Sequence, residues 1–153
     1  MPVALHGVRI VPDTNMLLRA LRDRDAEARF RHFVARCAPQ LGMASVVEME
    51  LRAGARTAAQ SSVVDRLVTA VSTHGRCVAP SAVAFAQAGR VLAALGARER
   101  LDVSAVRGSF TMDVLLAATC READAVLVTE NAADFSRIQR HLRGFRYTTE
   151  WPA

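Results

Sequence analysis

The sequence predicts an α/β fold with a mainly parallel sheet. Two observations carry that prediction. Short apolar runs alternate with longer stretches of helical spacing across 153 residues, and strands that alternate with helices usually pair in parallel. Hydrophobic residues make up 51% of the chain, the balance of a sequence that folds around a core rather than one that stays disordered. The length fits one domain, expected over residues 1–153.

The first apolar run, Val8–Val11, ends at Pro12-Asp13 and predicts a strand. Asn15–Leu21 reads as a helix start, and Asp25–Arg36 as an amphipathic helix. Leu41–Ser45 predicts a short strand. Helical spacing follows over Val46–Ala55 and Ala58–Thr73, with Val63, Leu67 and Val71 on one face and Gly75 as a stop. Cys77–Ala79 is a strand candidate. Ser81 can cap a helix that runs to about Leu95 and stops at Gly96. Arg98–Gly108 is charged and predicts a loop, and Ser109 or Thr111 opens an apolar helix through Arg121. Ala125–Thr129 is the clearest buried strand; Phe135–His141 and Phe145–Thr148 complete the pattern as a short helix and a last strand.

Composition excludes several function classes. No apolar run reaches the roughly 18 residues of a membrane span, and the N-terminus lacks the pattern of a signal peptide. Three widely spaced cysteines, Cys37, Cys77 and Cys120, fit reduced thiols and a cytoplasmic setting better than a disulfide framework. The four histidines form no metal-ligand pair. The net charge is +5, and all 20 basic residues are arginine. Arginine suits phosphate binding, although a GC-rich coding bias gives the same composition.

The acids are arranged more tellingly. Carboxylates recur at strand ends or early helix turns: Asp13 after the first strand, Glu48 and Glu50 after the second, Asp113 in the apolar helix, and Glu130 and Asp134 after Ala125–Thr129. In parallel sheets, function gathers beyond the carboxyl ends of the strands. Each acid also has a plain alternative. Asp13 fits a strand-to-helix turn, Asp113 and Asp134 fit helix caps, and Glu50 fits a solvated helix face. Yet Asp113 stands in an almost wholly apolar helix, where a carboxylate must be paired, capped or bound to a cation. Together, such acids can hold a hard cation that activates water and neutralises a phosphate, with no lysine or histidine required.

Four segments resemble the PIN-domain nucleases, and within them the VapC-type toxins. Val-Pro-Asp-Thr-Asn-Met-Leu-Leu (11–18) resembles the opening strand and Asp-x-Asn motif. Glu-Leu-Arg-Ala-Gly (50–54) resembles Glu-Leu-x-x-Gly, and Asp-Val-Leu-Leu-Ala-Ala-Thr (113–119) is similar to Asp-Ala-x-x-Ala-Ala-x, with Val114 in place of alanine. Leu-Val-Thr-Glu-Asn-Ala-Ala-Asp-Phe (127–135) resembles Leu-Val-Thr-x-Asn-x-x-Asp-Phe. The motifs occur in family order and span most of the chain.

The resemblance implies a three-layer α/β/α sandwich and an endoribonuclease dependent on Mg²⁺ or Mn²⁺. It implies that Asp13, Glu50 and Asp113 hold metal, that Asp134 completes the acidic site, and that Thr14, Asn15 and Thr129 give polar support. It also implies an RNA substrate, an antitoxin protein as partner, and a homodimer. A PIN nuclease of RNA maturation or DNA processing, or a PIN-like module that binds RNA without cutting it, is the alternative. Glu48 competes with Glu50, because residues two apart on a helix do not share a face; the spacing to Gly54, expected to let the helix approach a neighbour, favours Glu50. Arg98, Arg100 and Arg107 are candidates for substrate contact, on what could equally be a solvated loop.

Overall fold

The computed structural model describes residues 7–72, 77–100, 102 and 108–152. Five short strands are present: β1 (Arg9–Pro12), β2 (Met43–Ala44), β3 (Cys77–Val78), β4 (Ala125–Val128) and β5 (Arg146–Thr148). Seven α-helices connect them: α1 (Thr14–Arg22), α2 (Arg24–Cys37), α3 (Ser45–Gly54), α4 (Ala58–Ser72), α5 (Ala82–Arg98), α6 (Gly108–Glu122) and α7 (Ala132–His141).

Every strand pairing is parallel. β1 pairs with β4, Ile10 opposite Val126, and β4 pairs with β5, Leu127 opposite Tyr147. β2 pairs with β3, Met43 opposite Cys77. A parallel bridge from Ile10 to Leu41, with the Gly42 N–H donating to the Ile10 carbonyl at 2.8 Å, joins the two groups. The resulting order is β3-β2-β1-β4-β5, so the chain reverses its direction of travel across the sheet beside β1. Right-handed crossovers then put α1 to α4 on one face and α5 to α7 on the other. Packing agrees: α5, α6 and α7 contact one another, while α1 packs on α2 and α3 on α4. The protein is a three-layer α/β/α sandwich.

Burial explains the elements that hold the centre. All four residues of β4 are buried, as a middle strand of a parallel sheet requires. Ile10, Val11, Leu127, Leu116, Phe135 and Ile138 are among the fully buried side chains. α6, buried continuously from Val114 to Cys120, crosses beneath β4 and β2. Because α6 feeds directly into β4, its N-terminal turns lie at the carboxyl end of the sheet. Among the described residues no helix is long and apolar enough to cross a membrane, and Cys37, Cys77 and Cys120 are free thiols.

The structure departs from expectation in several places. α6 begins at Gly108 rather than Ser109 or Thr111, so Asp113 falls in the second turn, beyond the position of a cap. α5 runs through Gly96 to Arg98. A glycine inside a helix costs about 1 kcal/mol, and the burial of Val91 and Leu95 offsets it. The second strand shortens to Met43–Ala44 because Ser45 already starts α3. Gly54 is exposed, and a Cβ there would meet nothing within 4 Å, so it permits no close helix approach. Gly75, expected to stop α4, lies outside the described residues.

Ser81 locks α5 to α6. Its hydroxyl oxygen accepts the N–H groups of Val83 and Ala84 at 3.1 and 3.3 Å, and its O–H donates to Glu122 at the end of α6. Ser81→Ala should therefore cost about 1 kcal/mol and lower the melting temperature by about 2–4 °C. A thermal melt of the variant checks this; an unchanged midpoint contradicts it.

Candidate active site

A parallel sheet opens a crevice where adjacent strands send their connections to opposite faces. Here those strands are β1 and β4, and the residues that follow them, Asp13 and Thr129, meet. The Asp13 N–H donates to the Val128 carbonyl at 2.8 Å, extending the ladder by one residue. Its carboxylate accepts the Thr14 N–H at 2.7 Å on Oδ1 and the Thr129 hydroxyl at 2.7 Å on Oδ2. Asp13 is 5% exposed and Thr129 fully buried. Burial pushes the Asp13 carboxyl above its usual range; the bonds from Thr129 and Thr14 oppose that only in part.

The Thr14 hydroxyl reaches across to α3 and donates to Glu50. Glu50 is raised too, by burial first and then by the charge of Asp13. Glu48 faces the other way. It accepts Arg52 Nε at 2.8 Å on the exposed side of α3, and Arg52 continues to Asp65 on α4 at 2.7 Å. Of the two glutamates, Glu50 therefore adjoins Asp13, and Gly54 has no part in that choice.

Asp113 approaches from α6. Its carboxyl is pushed up to about 7, chiefly by burial and then by the charges of Asp13, Glu50 and Asp134. Asp134 comes from the first turn of α7. Asn131 stands between the last two acids: its amide donates to Asp134 Oδ2 at 3.0 Å and to Asp113 Oδ2 at 3.4 Å. The Asn131 backbone N–H donates to the Thr129 hydroxyl at 3.1 Å, so one chain of bonds runs from Asp13 to Asp134. Asn131 was missing from the predicted site. Its place three residues before Asp134 reads as a helix cap, which it also is, since its side-chain Oδ1 accepts the Asp134 N–H at 3.3 Å. The Asn-x-x-Asp motif was the signal available.

The other candidates sit apart from this cluster. Asn15 is exposed and lines a shallow cleft of ≈ 460 Å³ with Arg19, Arg22, Glu130 and Asn131. Arg98 and Arg100 are exposed at the end of α5. Arg107 lies outside the described residues.

None of the four acids forms an ion pair among the described residues. The cluster is thus a set of mutually repelling oxygen donors whose lateral support, among the described residues, comes from two threonines, an asparagine amide and a backbone N–H. Hard divalent cations select such a donor set. Among the described residues no three acids are already gathered at ion-holding distance; they influence one another through charge and through the bridging hydroxyls and amide.

The raised acid has a consequence for stability. The folded form binds the Asp113 proton more tightly than the unfolded chain does. That contribution is fully present below the ordinary value of 3.8 and is lost as pH rises through about 7. With a chelator present, the protein should melt progressively lower from about pH 4 to about pH 7. Asp113→Asn should flatten that dependence and melt higher than the parent at the alkaline end. Parallel curves for the two proteins would contradict the arrangement.

Comparison with known proteins agrees with this geometry. The PIN domain profile matches residues 10–141. No curated protein matches the sequence. Among solved structures, a chain of the DNA-bound VapBC complex from Salmonella typhimurium superposes with a TM-score of 0.72 at 20% identity, covering 92% of this chain and 97% of that one. A chain of VapBC-1 from nontypeable Haemophilus influenzae gives 0.70 at 19% identity, with 95% and 100% covered. FitAcB from Neisseria gonorrhoeae gives 0.69 at 16%, with 94% and 99% covered. At these identities the superpositions establish the shared fold, and the profile match over most of the length establishes the rest: the chain belongs to the PIN domain family.

Proposed function

We propose that this protein is a metal-dependent endoribonuclease acting as the toxin of a toxin–antitoxin pair, working as one domain in the cytoplasm. The observation that carries the reading is Asp113, a half-buried acid raised to about 7 by burial and by three other carboxylates, with no ion-pair partner among the described residues. A structural helix acid has no reason to sit there. A site built for a divalent cation does, because the ion offsets the repulsion.

Asp13, Glu50, Asp113 and Asp134 would hold Mg²⁺ or Mn²⁺, which supplies an activated water and neutralises the scissile phosphate. Thr129 fixes Asp13, Thr14 fixes Glu50, and the Asn131 amide sets Asp113 and Asp134 apart. Asn15 adds polar support at the rim. Arg98, Arg100 and Arg107 remain proposed substrate contacts. The toxin assignment rests on the VapBC and FitAcB neighbours, and it brings a small antitoxin as partner and a homodimer.

Asp13→Asn keeps the shape of the side chain and an acceptor for the Thr14 N–H, while its NH₂ group can donate to the Thr129 hydroxyl oxygen in place of accepting from it. It should leave the circular dichroism spectrum and cooperative melt intact while lowering Mg²⁺-dependent RNA cleavage more than about 100-fold, the upper end of what losing a group that merely supports a ligand costs. Full activity in the folded variant would remove Asp13 from the chemistry. Glu50→Gln should damage cleavage far more than Glu48→Gln, assayed side by side on one RNA. Equal losses would mean that the Thr14 contact does not mark the working glutamate.

A further inference from the structure

The mouth of the acidic site opens into a cleft that the four acids do not use. Arg19 of α1 forms an ion pair with Glu130, which follows β4. These two residues line both the ≈ 460 Å³ cleft beside Asn131 and a larger one of ≈ 750 Å³ along α2. The larger cleft presents Arg29, His32 and Arg36. Their spacing of three and four places them in one stripe on the helix. Arg22, Arg29 and Arg36 are exposed and make no ion pair among the described residues. Trp151, stacked on Phe33 with ring centroids 4.8 Å apart, also lines the cleft.

We propose that this cleft is the track for single-stranded RNA on one side of the cut, with Arg19, Arg22, Arg29 and Arg36 holding its phosphates. The inference rests on the endoribonuclease reading. Four arginines face two glutamates, Glu130 and Glu150, in the combined lining, and Glu130 is already engaged by Arg19. Grooves for single strands combine such a basic line with an aromatic surface for stacking. The path is continuous with the chemistry, because Asn131 lines the smaller cleft and bonds to Asp113 and Asp134. An acidic protein segment would satisfy the arginines as well, but continuity with the acids favours a polymer whose neighbouring phosphate is the one cleaved. On binding, Arg19 exchanges Glu130 for a phosphate and frees the wall between the two clefts.

The test is fluorescence anisotropy of a labelled single-stranded oligoribonucleotide in chelator, at several salt concentrations, with three proteins: the parent, Arg29→Gln/Arg36→Gln, and Arg66→Gln/Arg90→Gln, which changes two exposed arginines of α4 and α5 that line neither cleft. The parent should bind in a salt-dependent manner. Each phosphate contact contributes about 0.7 to the slope of log affinity against log salt, so the Arg29/Arg36 variant should lose about 1.4. Its deficit relative to the parent should then widen about sevenfold from about 200 to about 50 mM salt. The Arg66/Arg90 variant should keep the parent slope. Single variants, each losing about 0.7, replace the double if it melts early. An unchanged slope at Arg29/Arg36 overturns the track, whether the loss appears at Arg66/Arg90 instead or the variant fails only to bind a protein partner. A parent that binds no RNA overturns the endoribonuclease reading itself, and the track with it.

Discussion

Electrostatic repulsion among carboxylates at one end of a five-stranded sheet is the constraint on which the rest of this structure depends. Asp13 is almost entirely buried; Glu50 and Asp113 are raised first by their own burial and then by the charge of Asp13. Like charges at close range repel by roughly a few kcal/mol at an effective dielectric near 20. A fold tolerates that only where the surroundings hold the acids in place and something external offsets the charge. The neutral bridges do the first. Thr129 and Thr14 each donate to one acid, and the Asn131 amide spans two. None of these bridges neutralises charge, which leaves that part to a cation.

The topology explains why four distant sequence segments meet. β1 and β4 are adjacent and end at the same level, with Pro12 opposite Val128. α3 starts directly after β2, and α6 returns to β4 from the carboxyl side, so Glu50 and Asp113 enter from opposite helical layers. α7 leaves β4 through the Asn131 cap and brings Asp134 with it. Away from the site, the α7 helix is tied down by Glu99, which accepts Arg137 at 3.1 Å and pairs with His141 at 3.1 Å. Arg137 also lies over the Phe110 ring at the start of α6, 5.5 Å from its centroid. The two helices carrying Asp113 and Asp134 are thereby coupled at a distance from the acids.

Much of this was legible in the sequence, for identifiable reasons. β4 and α6 announce themselves because burial on all sides demands continuous apolar runs, and Asp113 stands out against such a run. The end of α5 misled, because packing of Val91 and Leu95 outweighs the local preference of Gly96 to stop a helix. Glu48 and Glu50 could be told apart only through tertiary partners: Arg52 and Asp65 for one, Thr14 for the other. Gly54 faces open space, so no close helix approach there selects a glycine or marks which glutamate points inward. Asn131 stayed hidden because its local role as a cap is sufficient to explain it. The Arg19–Glu130 pair joins residues 111 apart in the chain, a contact that no local pattern encodes.

The most direct test of the central claim is a crystal soaked with Mn²⁺ and measured for anomalous scattering. The account requires a peak among Asp13, Glu50, Asp113 and Asp134, with carboxylate oxygens at roughly the 2.0–2.6 Å reported for hard divalent cations. A saturated crystal with no peak there, or with Mn²⁺ held only elsewhere on the protein, would contradict it.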